Sequence, residues 1–446
     1  MVSPMQTFMG AANQYGNVPL KDICDALKKA LPTLNKANVA DMDKFIEVLV
    51  NKNNGVGACF LLHAKIKKGP EILFDRMLFL TQVNKVLDAI QESEIEHLRE
   101  RFAQTFTDFA LLLVENGMAL NGINLLRKAL DLMTANVKGT ITNLHTALLG
   151  LCLAANRFDA ALDYLNVNAE AVFMNAVSNR TLDGYSTLLF FYYGGTIYIA
   201  LEMWKEAAFF LQMAVCLPAL SASSIMIEAL KKLILVNLLL DRPVQLPSYR
   251  SAAIQRAAQS KCEAYYRVAI VYNDVCNRKK ASKSKRSFAA LFEKERAKFK
   301  ADKNFGLVHK VYENALLVRA RQLSQTFTRL KLAEVPKYLE FADESVNSSK
   351  LLTECIERGQ VSGRLDLDTN SVFFDEVAET PVDSSRLEEA MQNCVFLSDI
   401  LYKCHREMNL HPTYLQKSYK KAAVGSVNQY MVNMEDEGVV APSASS

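Results

Sequence analysis

Apolar residues recur along most of this chain at steps of three and four, and only briefly at steps of two. Leu20, Ile23, Cys24, Leu27 and Leu31 form one such stripe, and Phe45, Ile46, Leu49 and Val50 a second. Leu73, Met77, Leu80, Val83 and Leu87 form a third, and Phe102, Phe106, Phe109, Leu113 and Val114 a fourth. Each predicts a helix with one apolar side, stable only against a neighbour. Three later stretches resemble one another: Asn121 to Leu126, Arg157 to Leu162 and Met203 to Ala208. Each follows an apolar helix and opens another with small residues in its first turns. The interval is roughly 40 residues, the period of paired-helix solenoids. The expected N-terminal architecture is therefore a tetratricopeptide-like helical-repeat solenoid.

Tyr185 to Leu201 is the most apolar helical stretch, interrupted by Gly194 and Gly195. A helix that is apolar all round is buried all round, and paired glycines there point to close backbone packing against the next helix. Ser224 to Leu240 is a second long apolar helix, ended by Pro243 and Pro247. A further helix carries Tyr265, Tyr266, Val268, Ile270, Val271 and Tyr272.

The pattern changes after Asn304. A helix to Arg321 is followed by a short extended piece, Thr326 to Leu330, and a small helix, Leu332 to Leu339. Ser348 and Ser349 offer an N-cap for a helix over Lys350 to Arg358, and Gly359 its C-cap. Val361 to Leu367 and Ser371 to Phe374 predict two strands joined by a turn at Asp368, Thr369 and Asn370. Helix, strand, helix, helix and hairpin is the order of a winged helix. Its second helix carries Lys350, Glu354, Glu357 and Arg358, no net positive charge, which argues against nucleic-acid readout. The hairpin, with Arg364, Leu365, Leu367, Val372, Phe373 and Phe374, is the expected subunit contact, because an open strand edge must be covered.

A short acidic linker, Glu376 to Pro381, precedes a last long helix from Ser384 or Ser385 to Asn409. Leu387, Met391, Cys394, Leu397, Leu401, Cys404 and Met408 lie along it at near coiled-coil spacing. Pro412 starts another helix with Tyr414, Leu415 and Tyr419. These residues are the second expected subunit contact. The end, Glu435 to Ser446, has the composition of a disordered tail. The expected domains are helical repeats over 1–200, a helical segment over 201–303 leading into the winged helix over 304–375, terminal bundle helices over 376–430 and a tail over 431–446.

Composition adds little to this picture. The 446 residues are 50% hydrophobic and 22% charged with a net charge of +4, so the chain can bury a core and its charge names no partner class. No apolar run reaches the ~18 residues of a membrane span, and Met1 to Pro4 does not begin a signal peptide. The nine cysteines form no C-x-x-C, as expected of reduced core residues in cytoplasm or nucleus. Arg278, Lys279, Lys280, Lys283, Lys285 and Arg286 form a basic run without an acidic residue. It reads as a solvated loop, a nuclear import signal or a phosphate-contact patch. No catalytic constellation is present: H-E-x-x-H, G-x-S-x-G and G-x-x-x-x-G-K-S/T are absent, and the six histidines are dispersed. Gly55-Val56-Gly57 starts like a dinucleotide loop but has Phe60 in place of the third glycine and no preceding strand. A non-enzymatic chain without cofactor or metal is expected.

Helical repeats running into a winged helix and terminal helices resemble the PCI family. Specific segments are similar to the subunit 3 branch of the COP9 signalosome: Tyr192 to Tyr198, Ser223 to Val236, Asn304 to Val308, Thr326 to Leu330, Gly359 to Val361 and Pro412 to Ser418. That resemblance, covering residues 100–420, implies a non-catalytic scaffold in the complex that removes a ubiquitin-like modifier from cullins, the metalloprotease activity belonging to another subunit. It implies winged helices joined edge to edge, terminal helices in a shared bundle, subunits 1 and 8 as neighbours, and contact with cullin-RING ligases through the complex. A PCI subunit of the proteasome lid or of translation initiation factor 3, or an RNA-binding PCI protein, is the alternative.

Overall fold

The computed structural model describes residues 4–34, 37–69, 72, 75–135, 141–165, 183–247, 250–276, 287–339, 348–359, 361–366, 369–375, 384–412 and 414–416. The chain divides into two units, Met1–Asp375 and Glu376–Ser446. The first begins with α1 (Pro4–Ala12), α2 (Leu20–Leu34), α3 (Val39–Asn51), α4 (Gly55–Ile66), α5 (Arg76–Ala89) and α6 (Glu92–Glu115). It continues with α7 (Ala119–Thr134), α8 (Asn143–Ala154), α9 (Asp159–Leu165), α10 (Gly184–Ala200), α11 (Trp204–Cys216) and α12 (Ser224–Leu239). Then come α13 (Ala252–Lys261), α14 (Glu263–Cys276), α15 (Ser287–Ala301) and α16 (Phe305–Ser324). The winged helix is completed by β1 (Arg329–Lys331), a 3-10 turn and α17 (Val335–Leu339), α18 (Ser348–Glu357), β2 (Gly363–Asp366) and β3 (Ser371–Phe374). The second unit holds α19 (Ser384–Leu410).

The helical repeats are punctuated by one recurring turn. Asn53, Gly117, Asn156, Glu202, Asp241 and Lys303 each take a left-handed backbone, with φ between 52° and 70°. In each case the next residue's N–H donates back past the helix end: Asn54 to Leu49, Met118 to Leu113, Arg157 to Cys152, Met203 to Tyr198, Arg242 to Asn237 and Asn304 to Phe299, at 2.8–3.0 Å. This is the Schellman arrangement, which closes a helix and starts the next at a fixed angle. Three of these turns stand at the stretches starting near Asn121, Arg157 and Met203 that resemble one another in sequence. The repeats α6–α7, α8–α9 and α10–α11 pack side by side, each helix burying its apolar stripe.

The expected close approach at Gly194 and Gly195 is present. A Cβ on Gly194 would stand 2.6 Å from Phe210 Cδ1 and 2.8 Å from Leu165 Cδ2, and one on Gly195 2.8 Å from Leu211 Cγ. The glycines thus let α10 lie directly on α11. Other details depart from the periodicity. Met77 and Val114, read as stripe residues, are exposed. Gly55 does not open a phosphate loop. It begins α4, a helix buried at every residue, and a Cβ there would stand 2.6 Å from the carbonyl oxygen of Ala89.

Several buried polar groups in the first unit are paired, most of them with a residue of another segment. Lys65 on α4 has only 2% exposure, pairs with Asp43 of α3 and donates to Gln82 Oε1 of α5 at 2.6 Å. Lys231 on α12 pairs with Glu228 at 2.5 Å and with Asp302 at 2.9 Å. Tyr265 OH of α14 donates to Asp302 at 2.7 Å and accepts from Asn304 Nδ2 at 3.1 Å. The last two contacts fix the start of α16, and so the approach to the winged helix, against the repeats.

Two buried histidines make stability depend on pH. Burial lowers His63 to about 4, with Arg101 and Lys67 adding to the effect. Burial also lowers His145 to about 4. Both are neutral when folded and take up a proton on unfolding once pH falls below their ordinary value near 6.5. The folded state therefore loses stability as pH falls from about 6.5 to 4, by at most about 1.4 kcal/mol per pH unit for each histidine. Urea unfolding at pH 7 and pH 5 should show this loss, and His145→Gln should reduce the difference between the two midpoints.

Candidate functional site

The winged helix places its hairpin on a small core of its own. Leu330, Val335, Leu339, Leu352, Cys355, Val372 and Phe374 are buried there. Burial pushes the Cys355 thiol up to about 11, so it is an inert packing residue. Gly359 closes α18 with φ of 65°, and the Val361 N–H returns to the Cys355 carbonyl at 3.3 Å. This turn takes Val361 out of the expected strand, which starts at Gly363.

The sheet order is β1-β3-β2, all antiparallel. The hairpin alternates accordingly. Val372 and Phe374 point into the core, which corrects the expectation that they face a partner. Leu365 packs half-buried against the same core. Leu367 lies outside the described residues. Arg364 and Phe373 remain on the outer face, and Arg329 of β1, absent from the sequence-based set, joins them. Register puts Arg329 opposite Phe373 and Phe373 opposite Arg364, so the three form one row across the sheet. Both guanidiniums lie over the Phe373 ring, 4.9 Å and 5.5 Å from its centroid. Only the register of β1 could have revealed this row, because Arg329 is separated from the hairpin by two helices. Just past the end of α18, Arg358 pairs with Glu354 of that helix at 2.6 Å.

α19 is 27 residues long, about 40 Å. The expected seam residues Leu387, Met391, Cys394, Leu397, Leu401, Cys404 and Met408 are all exposed, as are Tyr414 and Leu415 beyond the helix. The single stripe is a correction in one respect. Val395, Phe396, Ile400, Tyr402 and Leu410 are exposed as well. At 3.6 residues per turn Phe396 stands roughly opposite Leu401, so the middle of α19 is apolar on more than one side.

The basic run Arg278, Lys279, Lys280, Lys283, Lys285 and Arg286 lies outside the described residues. Among the described residues no group of His, Cys, Asp and Glu is arranged to hold a metal ion. A surface cleft of about 440 Å³, between Leu246, Gln255, Gln259 and Tyr266, contains the single carboxylate of Glu263. All nine cysteines are free thiols, with Cys24, Cys59, Cys152, Cys262 and Cys355 buried. No helix among the described residues is long and apolar enough to cross a membrane.

Residues 17–254, from the approach to α2 through the start of α13, match the family described as COP9 signalosome complex subunit 3, N-terminal helical repeats. The chain is 25% identical over 405 residues to COP9 signalosome complex subunit 3 of Dictyostelium discoideum, an alignment covering 89% of this chain and 92% of that protein. It is 23% identical over 416 residues to COP9 signalosome complex subunit 3 of Drosophila melanogaster, covering 89% and 90%. The matched repeats are the same helices that the recurring Schellman turns divide, and the relatives extend the likeness through the winged helix. The chain belongs to the COP9 signalosome subunit 3 family.

Proposed function

We propose that this chain is a non-catalytic scaffold subunit of a COP9 signalosome, held to other subunits by its winged-helix sheet and by α19. In that role it supports removal of the ubiquitin-like modifier from cullins, and so the regulation of cullin-RING ubiquitin ligases, without contributing a reacting group. The observation that carries this reading is the length of apolar surface exposed on α19, together with family membership. A monomer gains nothing by presenting a 27-residue helix with Leu387, Met391, Leu397, Leu401 and Met408 all exposed. Leucine-scale side chains contribute about 1.5–3 kcal/mol each when buried, enough for several together to offset the ~4–15 kcal/mol cost of association. An apolar middle segment that is not confined to one face fits insertion among several helices rather than pairing with one.

The winged helix supports the same reading through its sheet. The outer edge of β2 has no strand beside it among the described residues, and an open edge favours addition of a strand. The cytoplasm and nucleus, subunits 1 and 8 as neighbours, and the division at 200, 303, 375 and 430 belong to this proposal as well. Affinity purification of the full chain from its own cells, with identification of the chains that accompany it, tests it. Signalosome subunits in equal amounts are the expected result. Proteasome-lid or initiation-factor subunits in their place would refute the assignment.

A further inference from the structure

The row across the winged-helix sheet is an unusual use of charge. Arg329 and Arg364 are exposed, they stand on either side of Phe373 in register, and both guanidiniums gather over its ring. Among the described residues neither forms an ion pair with a carboxylate. Two like charges held by one aromatic ring repel each other, and the ring's negative face only partly offsets that. Asp366, in the next row, accepts from the Thr369 hydroxyl at 2.7 Å. Lys331, also in that row, is exposed and adds positive charge to the same face.

The geometry points to an acidic strand of a neighbouring subunit as the occupant: we propose that it adds to the outer edge of β2 and sets an Asp or Glu opposite Arg364. This inference rests on the reading that the winged-helix sheet joins subunits, and it names the chemistry of the partner. A strand added at ~4.8 Å from β2 continues every row of the sheet. The row Arg329, Phe373, Arg364 would then end on the partner's side chain. Opposite charges directly across two strands stabilise the pair, and like charges oppose it, so the row selects an acidic residue. A guanidinium presents a planar fork that matches a carboxylate, which a lysine at the same position does not. Arg364 makes the contact, and Arg329 raises the potential along the row. Polypeptide is favoured over nucleic acid because α18 carries no net positive charge and Arg358 is already paired with Glu354.

The test uses the full-length chain and the remaining signalosome subunits of the same organism, purified as a complex lacking this chain. Binding is titrated at low and high salt for the wild type, Arg364→Gln, Arg329→Gln and the double variant. Hydrogen exchange of the β2 amides, Gly363 to Asp366, is measured with and without the partner complex. Both arginines are exposed, so thermal midpoints should be unchanged and serve as the folding control. The expected result is about tenfold weaker binding for Arg364→Gln, a smaller loss for Arg329→Gln, and a flatter salt dependence for the double variant. Arg364→Lys should recover salt dependence but not full affinity. Protection of the β2 amides on assembly, with wild-type affinity in the double variant, overturns the acidic-strand proposal and leaves the sheet contact standing. Absence of that protection overturns both. Tighter binding in Glu376→Gln/Glu379→Gln would mean that the chain's own acidic segment fills the row, and that also overturns the proposal. So would oligonucleotide binding lost in the double variant while subunit binding is unchanged.

Discussion

Replacing Gly194 with valine is expected to lower the urea midpoint of the first unit and its thermal midpoint together, by about 3 kcal/mol or more of stability. The glycine lies where α10 crosses α11, and the first added carbon would overlap Phe210 and Leu165. Phe210 cannot step aside freely. Its ring is 5.7 Å from that of Phe191, 6.0 Å from that of Phe190 and 5.1 Å from that of Tyr198. Alanine at this position would recover about 1 kcal/mol of helix propensity and still meet the same ring, so it should destabilise less than valine. Gly195→Val acts on Leu211 in the same way. Gly306→Ala is the control: it also lies in a helix, nothing stands within 4 Å of its would-be Cβ, and the change should be neutral or slightly stabilising. If Gly194→Val unfolded at the wild-type midpoint, the close crossing of α10 and α11 would be wrong.

A chain ending at Asp375 should remain folded and lose the company of other subunits. The unit Met1–Asp375 has its own continuous core, so removing α19 takes away no part of that core. It does take away Leu387, Met391, Leu397, Leu401 and Met408, whose burial in a shared bundle would contribute on the order of 10 kcal/mol. Co-expression with the other subunits, followed by size-exclusion chromatography with light scattering, should show the shortened chain eluting alone as a monomer. In the full chain, Leu397→Asp/Leu401→Asp should weaken association at least about a hundredfold, because two charges would then have to enter an apolar bundle. Normal assembly of either variant would remove α19 from the proposal.

The order of elements was legible in the sequence because the two periods are local properties of the chain. Steps of three and four gave the helical repeats, and Ser348 and Gly359 marked the two ends of α18 before the hairpin, with Ser348 as its first helical residue rather than its cap. The paired glycines announced a close crossing, because a helix tolerates Gly-Gly only where something makes use of the space. By motif alone, Gly55-Val56-Gly57 is an incomplete nucleotide loop. Local pattern cannot show that Ala89 and Ile90 lie across that helix end.

The hairpin and the terminal helix divide the same way. Alternation along β3 predicted apolar residues at 372 and 374, but which face meets the core depends on where α16, α17 and α18 pack, and burial removed Val372 and Phe374 from the outer surface. The sequence by itself determined a repeat array, a winged helix and a long apolar terminal helix, because periodicity, caps and turns act over a few residues. Only the tertiary structure decided that Arg329, Phe373 and Arg364 share one row, because strand register joins residues far apart in the chain and no local rule connects them.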